Sequence, residues 1–467
     1  MAQNFIAVDR DQVLLMPPSL QEWLPAEHYA WFVLASVEQM DLSAFLAGYR
    51  PDGHGRPAHD PALMVALLIY AYSRGVCSSR MIERACVEDV AFRVIAANQK
   101  PDHATVARFR RRHEAAFAGL FTEVLELCAE AGLAKVGMIA IDGSKLSANA
   151  SQESTRGYEQ IVRELLERAE QTDEQEDQLY GDRRGDELPD DLITREGRRK
   201  VLADAKRRLI ERRAKEERPI PKSRTKRLKE AKRRLEEEHD VHCQANQAYE
   251  QWRETGRMKN GRRFGAPPKP YVPSELPDGR INLTDLDSGS MKTLRGHMQG
   301  YNVQAACNEQ QIVIAAEVSV IAPDFGSLEP MVLATLRELQ DAGITERPGV
   351  VLADAGYWHQ AQMENVINHG MQVLIPPDAA GRQGARPGWE GGYYDHMRRV
   401  LASDYGHALY KRRQSMIEPV FAHTKFNRKL IRFMRRGRSA VRSEWRLMAA
   451  THNLLKLYSN QIATTGG

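Results

Sequence analysis

A mixed α/β fold, with an all-helical domain before it and a charged helical insertion inside it, is the architecture this sequence predicts. Three observations carry it. Apolar residues recur at helical spacing from Ser19 to Gly132, short β-branched runs ending in turn residues begin at Val136, and roughly 155–275 is strongly charged. The chain has 467 residues, 42% hydrophobic and 27% charged, which suits two or three domains with a substantial core.

In the first region, the segments 19–24, 60–72, 78–86, 88–96 and 102–132 are separated by Gly, Pro or Asn and read as helices. Asp102 follows Pro101 as the N-cap of the last, whose opening turns present Thr105, Arg108, Arg110, Arg111 and Arg112. A short helix, a turn and a basic helix can read a DNA groove, while a solvent-facing basic helix end is the plainer alternative. The period then changes. Val136 to Ile141 predicts a buried strand ending at Asp142, and 302–306 with 312–321 predicts a hairpin turned by Asn308-Glu309-Gln310-Gln311. Residues 330–342 form an amphipathic helix, 349–353 a buried strand ending at Asp354, 360–369 a helix and 372–375 a strand.

Within the insertion, residues 191–240 hold 19 basic and 11 acidic side chains, broken by Pro219 and Pro221. A helical hairpin is expected. Its apolar positions Leu202, Leu209, Ile210, Leu228 and Leu235 are too sparse for an independent core, so it packs on itself or against a partner. The predicted organisation is therefore a helical domain over 1–132 and an α/β domain over 133–460, interrupted by 155–275.

The formal net charge is only +4, but residues 411–446 hold 12 basic and 2 acidic side chains, interleaved with Phe421, Phe426, Phe433 and Trp445. Such a block suits a polyanion, nucleic acid first, with binding that weakens steeply as salt rises. The longest apolar run, Pro61 to Tyr72, is too short to span a membrane, the start has no signal pattern, and five scattered cysteines read as reduced thiols. These features predict a cytoplasmic chain without a membrane partner.

Three carboxylates stand out: Asp142 and Asp354 at predicted strand ends and Glu418 in the basic block. Acids at the ends of adjacent strands can converge, and a third on a helix across those ends completes an oxygen set for Mg²⁺. Two ions roughly 4 Å apart in such a set activate an attacking oxygen and stabilise a leaving one during phosphoryl transfer. Each acid also has a structural reading. Asp142-Gly143-Ser144 and Asp354-Ala355-Gly356 can start turns, and Ser415 with Glu418 forms a capping box that places Pro419 in a first helical turn.

Residues 60–64, 72–80, 101–110, 140–150, 300–304, 354–357 and Ile417-Glu418-Pro419-Val420-Phe421 with Lys425 resemble, in order, the DDE insertion-sequence transposases of bacteria. The resemblance implies an RNase H-like mixed sheet flanked by helices, a helical DNA-binding domain before it, and Asp142, Asp354 and Glu418 as catalytic and metal-binding residues using Mg²⁺ or Mn²⁺. It further implies binding to double-stranded DNA at element ends and target, strand cleavage and joining, and a homodimer in a synaptic complex. Lys425, Arg428, Lys429, Arg432, Arg435 and Arg436 are the expected phosphate contacts, together with Thr105, Arg108, Arg110, Arg111 and Arg112 of the helical domain. The family's signature around the third acid is only partly kept: Lys425 stands at its spacing, Gln414 occupies the arginine position, and Tyr410 and Arg413 lie one residue upstream of theirs. Tyr357 or Trp358 could stack on a displaced base or simply pack. A nuclease that cuts without joining, and a non-enzymatic DNA-binding descendant, are the alternatives.

Overall fold

The computed structural model describes residues 19–49, 58–168, 220–255, 277, 279–293, 296–378 and 391–465. Helices α1 (Tyr29–Gln39), α2 (Ser43–Leu46), α3 (Pro61–Ser73), α4 (Ser79–Glu88), α5 (Val90–Ile95), α6 (His103–Arg112) and α7 (Glu114–Glu130) build the amino-terminal region. In α3 every residue from Met64 to Ser73 is buried, as a helix apolar all round requires. It starts where Asp60 accepts the Ala62 N–H at 2.7 Å with Pro61 in the first turn. The single helix expected over 102–132 is two. The helix breaks at His113, whose buried ring packs on Phe109 (4.5 Å between centroids) and Phe45 (5.4 Å).

The sheet contains β1 (Met138–Ser147), β4 (Gly289–Thr293), β5 (Gly296–Asn308), β6 (Val313–Ser319), β7 (Val350–Leu352) and β8 (Gln372–Leu374), in the order β4-β5-β1-β7-β8. β6 joins β5 beyond β4 on the same edge, because β1 occupies the other. β5 is antiparallel to β1 and β6, whereas β7 and β8 run parallel to β1. Helices α10 (Leu328–Asp341), α11 (Gln360–Asn368), α12 (Gly392–Ala402), α13 (Asp404–Ala422) and α14 (Arg438–Thr465) complete an RNase H-like layer arrangement. The expected hairpin is β5–β6, where Asn308 accepts the Gln310 and Ile312 N–H groups. Asn453 on α14 bonds both the N–H and the C=O of Val313 at 2.8 Å, giving this edge strand a partner.

Within the insertion, α8 (158–168) and α9 (Arg224–Thr255) bury Ile161, Leu228, Ala231 and Leu235 against Ile281, Leu283 and Leu286, beside the pair β2 (Thr155–Gly157) and β3 (Arg280–Asn282). Leu228 and Leu235 thus join a small core of their own, pinned by the Arg234–Asp287 ion pair at 2.6 Å. Leu202, Leu209, Ile210 and the remainder of the expected hairpin lie outside the described residues.

Candidate active site

Ala140 of β1 pairs with Leu352 of β7, so two residues further along these parallel strands stand Asp142 and Asp354. β7 ends at Leu352, but β1 does not end at Asp142. It runs on to Ser147 against β5, and its burial falls from complete to partial at Asp142 itself, past the last residue paired with β7, where only one neighbouring strand remains. The acid therefore marks the end of the parallel pairing rather than of the strand. Asp354 does start a turn, accepting the Gly356 N–H at 2.9 Å, and still stands opposite Asp142. Turn geometry and chemistry are compatible at this position.

Both carboxyls are pushed above their ordinary range. Burial raises Asp142 to about 6, opposed by Arg413 and reinforced by the charge of Asp354. Burial also raises Asp354, opposed by the Gly356 N–H and by Arg413, with Asp324 adding to the rise. Arg413 Nη1 lies 3.0 Å from Asp142 Oδ2, and its charge reaches both acids. Its own Nε is buried without a hydrogen-bond partner. Arg413 lies three, four and seven residues before Met416, Ile417 and Val420, the buried stripe of α13, whereas Gln414 is exposed. Helix periodicity therefore turns Arg413 toward the sheet, where the signature's spacing had favoured position 414.

α13 begins at Ser403, which accepts the Gly406 N–H, and runs unbroken to Ala422 with Pro419 inside it. The Ser415–Glu418 capping box is therefore not formed. Pro419 leaves the Ser415 carbonyl without its helical donor, and Gln311 Nε2 occupies it at 2.7 Å. Glu418 is exposed and, five residues beyond Arg413, lies about 140° around the helix from it. Among the described residues, no group of three His, Cys, Asp or Glu side chains is gathered as a metal-ligand set. A π-helical turn, His423–Asn427, follows α13, and its wider spiral removes Lys425 from the face expected to be shared with Glu418. Lys425 turns instead to β1, its Nζ 2.5 Å from Ser144 Oγ.

The expected phosphate contacts divide into two groups. Arg432 and Arg436 are exposed, bonding the Asn149 side chain and carbonyl at 3.2 and 2.8 Å, and Lys429 is exposed as well. Arg435 is partly buried in an ion pair with Glu114. Arg428 is only 4% exposed, its guanidinium held by the Met448 carbonyl, Thr451 and Thr424, and burial lowers its pKa to about 10. Arg110 is likewise buried against the Tyr72 hydroxyl and the Cys77 carbonyl. Neither of these two can face a phosphate here: Arg110 is bound within the helical region, and Arg428 among α14 and the turn after α13. Arg108 and Arg111 are exposed, Thr105 is half-buried, and Arg112 lies over the Tyr49 ring at 4.4 Å. Tyr357 is fully buried with its hydroxyl on Gln304, which removes it as a base platform, and Trp358 packs edge-on against Tyr394.

The raised Asp142 carboxyl gives a pH signature. It titrates at about 6 folded against 3.8 ordinarily, so the folded state holds this proton to higher pH. The corresponding stability is complete below 3.8 and is lost as pH rises through 6, up to about 3 kcal/mol in chelator-treated protein. Chemical unfolding across that range checks it, and Asp142→Asn should flatten this part of the profile.

An RNase H-like sheet with two acids at the end of its parallel pair defines the class. Residues 18–112 match the family described as transposase domain DUF772, and residues 385–458 match the transposase DDE domain family. Together the two matches, in this order on one chain, support an insertion-sequence DDE transposase. No curated protein and no solved structure matches the chain. None of the helices described is long and apolar enough to cross a membrane.

Proposed function

We propose that the protein binds the terminal inverted repeats of its own element, hydrolyses a phosphodiester there to free a 3′-hydroxyl, and joins that hydroxyl to target DNA. The carrying observation is the placement of two desolvated acids at the start of a line of cations along β1. From Asp142 the strand passes Ser144, which meets Lys425, then Ser147, bridged to Arg432, and leads to Asn149, which holds Arg432 and Arg436. That path spans roughly 20 Å at about 3.3 Å per residue, long enough for a DNA strand to run along it with its phosphates on the cations.

Asp142 and Asp354 fit a divalent cation such as Mg²⁺ or Mn²⁺: both are hard oxygen donors, and a cation offsets the repulsion and desolvation that raise their pKa values. A metal held by these two acids would supply activation of the attacking oxygen and stabilisation of the leaving one. Glu418 is taken as the third acid from the family resemblance; on α13 it stands exposed, about 140° around the helix from Arg413. Arg413 restrains both acids by charge, with its Nη1 on Asp142. The helical domain, through Thr105, Arg108, Arg111 and Arg112, contributes to end recognition, and synapsis of two ends calls for a homodimer.

The test uses pre-cut element ends, a supercoiled plasmid and Mg²⁺. Joined product is the expected result. Cleavage of uncut ends without joining would favour a nuclease, and metal-independent binding with neither reaction a DNA-binding descendant.

A further inference from the structure

The loop between β6 and α10 carries a carboxylate that belongs to none of the sequence motifs. Asp324 Oδ1 accepts from Asn302 Nδ2 and Gln304 Nε2, each at 2.8 Å, and lies 3.6 Å from Lys145 Nζ. Cross-strand partners share a face, so Gly143 with Gln304 and Lys145 with Asn302 project from one side of the sheet, Asp142 and Ser144 from the other. Asp324 thus approaches β1 from behind Asp142. Gly143 makes room for it, since a Cβ there would stand 2.2 Å from Asp324 Oδ1 and 2.4 Å from Gln304 Nε2. The side-chain carbonyl of Gln304 accepts the Tyr357 hydroxyl, and Tyr357 closes the turn that Asp354 caps. Contacts therefore run without a gap from Asp324 to Asp354.

We propose that Asp324 is a positioning residue for the transposase reaction: it holds Lys145 on its own face of the sheet and, through Gln304 and Tyr357, sets the turn from which Asp354 projects. This rests on the assignment of Asp142 and Asp354 as the reacting acids. The reason for a charge at this position is its cost. A carboxamide oxygen would satisfy Asn302 and Gln304 equally well, yet the chain places a carboxylate whose charge acts on Asp354 and on Tyr357 beside it. The charge has one partner for which a carboxamide would not serve, Lys145.

The experiment compares Asp324→Ala, Asp324→Asn, Lys145→Gln, Tyr357→Phe and Asp354→Asn in the full chain. End cleavage and the ¹⁹F spectrum of 5-fluorotryptophan-labelled protein are measured, with the Trp358 resonance assigned by Trp358→Phe. Asp324→Ala should cleave about 10- to 100-fold slower, the usual loss for a group that orients a metal ligand, and should move the Trp358 resonance. Combining it with Tyr357→Phe should cost no more than Asp324→Ala alone. Asp324→Asn keeps both accepted hydrogen bonds, so it should leave Trp358 unmoved, lose about tenfold in rate, and add nothing to Lys145→Gln. Wild-type cleavage in both Asp324 variants, with Asp354→Asn inactive, overturns the proposal, as does strict additivity with Tyr357→Phe and with Lys145→Gln. Cleavage by Asp354→Asn instead overturns the assignment on which it rests. If Asp324→Ala fails to fold, Asp324→Asn and its pairing with Lys145→Gln decide the matter in the same way: wild-type cleavage or strict additivity overturns the proposal, and a tenfold loss shared with Lys145→Gln supports it.

Discussion

Asp142→Asn should reduce strand cleavage by roughly 10³-fold or more while leaving binding to element ends close to wild type, because it removes an interaction needed mainly in the transition state. The substitution keeps the side chain's shape and removes its charge. Asp142 faces Asp354 across the end of the parallel pair, and its pKa of about 6 reflects burial opposed chiefly by Arg413. In the variant, Arg413 loses its ion-pair partner but still feels Asp354, so the fold should persist. The cations along β1, Lys425 at Ser144 and Arg432 and Arg436 at Asn149, are untouched, which is why end binding should survive. A second readout accompanies the rate: Mg²⁺ should raise the unfolding midpoint of wild type, and Asp142→Asn should lose most of that rise. Single-turnover cleavage within tenfold of wild type would remove Asp142 from the reaction.

The order β1, β5, β6, α10, β7, α11, β8 was readable in the sequence because each of those strands is a short apolar run closed by polar turn residues, whereas β2, β3 and β4, short and polar, gave no such run and were not expected. Where expectation and structure part, tertiary packing has overridden a local signal. His113 ends α6 because its ring joins the Phe45–Phe109 cluster, a contact of distant segments that periodicity does not register. Pro419 resembles a helix start, yet it sits within α13 because Gln311, more than a hundred residues away, occupies the carbonyl it leaves open. Arg428 and Arg110 read as surface charge because cationic composition carries no information about burial. Of the candidate site, the neighbouring positions of Asp142 and Asp354 followed from strand logic. The sequence leaves Arg413 undecided and Asp324 was missed, although each had a signal: the seven-residue stripe of α13 for one, and for the other the alternating polar pair Asn302 and Gln304 within an otherwise buried strand.

Glu444→Leu should cost about 3–5 kcal/mol of stability, the scale of removing one partner from a buried charged network, and should release the basic segment that follows β1. Glu444 is only 2% exposed, and its carboxylate accepts the Tyr72 hydroxyl at 2.7 Å and the backbone N–H groups of Met434 and Arg435 at about 3.0 Å. Tyr72 in turn accepts from Arg110, so one buried chain joins α6, α3, α14 and the segment carrying Arg432 and Arg436. Leucine leaves two backbone donors and the Arg110 charge without the acceptor that neutralised them. Tyr72→Phe removes one hydroxyl and should cost only about 1–2 kcal/mol. Denaturant unfolding gives the two stability losses, and trypsin cleavage after Arg432, Arg435 or Arg436 under native conditions reports release of the segment. If Glu444→Leu instead unfolds with wild-type stability and an uncut segment, the helical domain is held by its apolar contacts alone, and the buried chain from Arg110 to Glu444 does not set the position of the cations beside the acid pair.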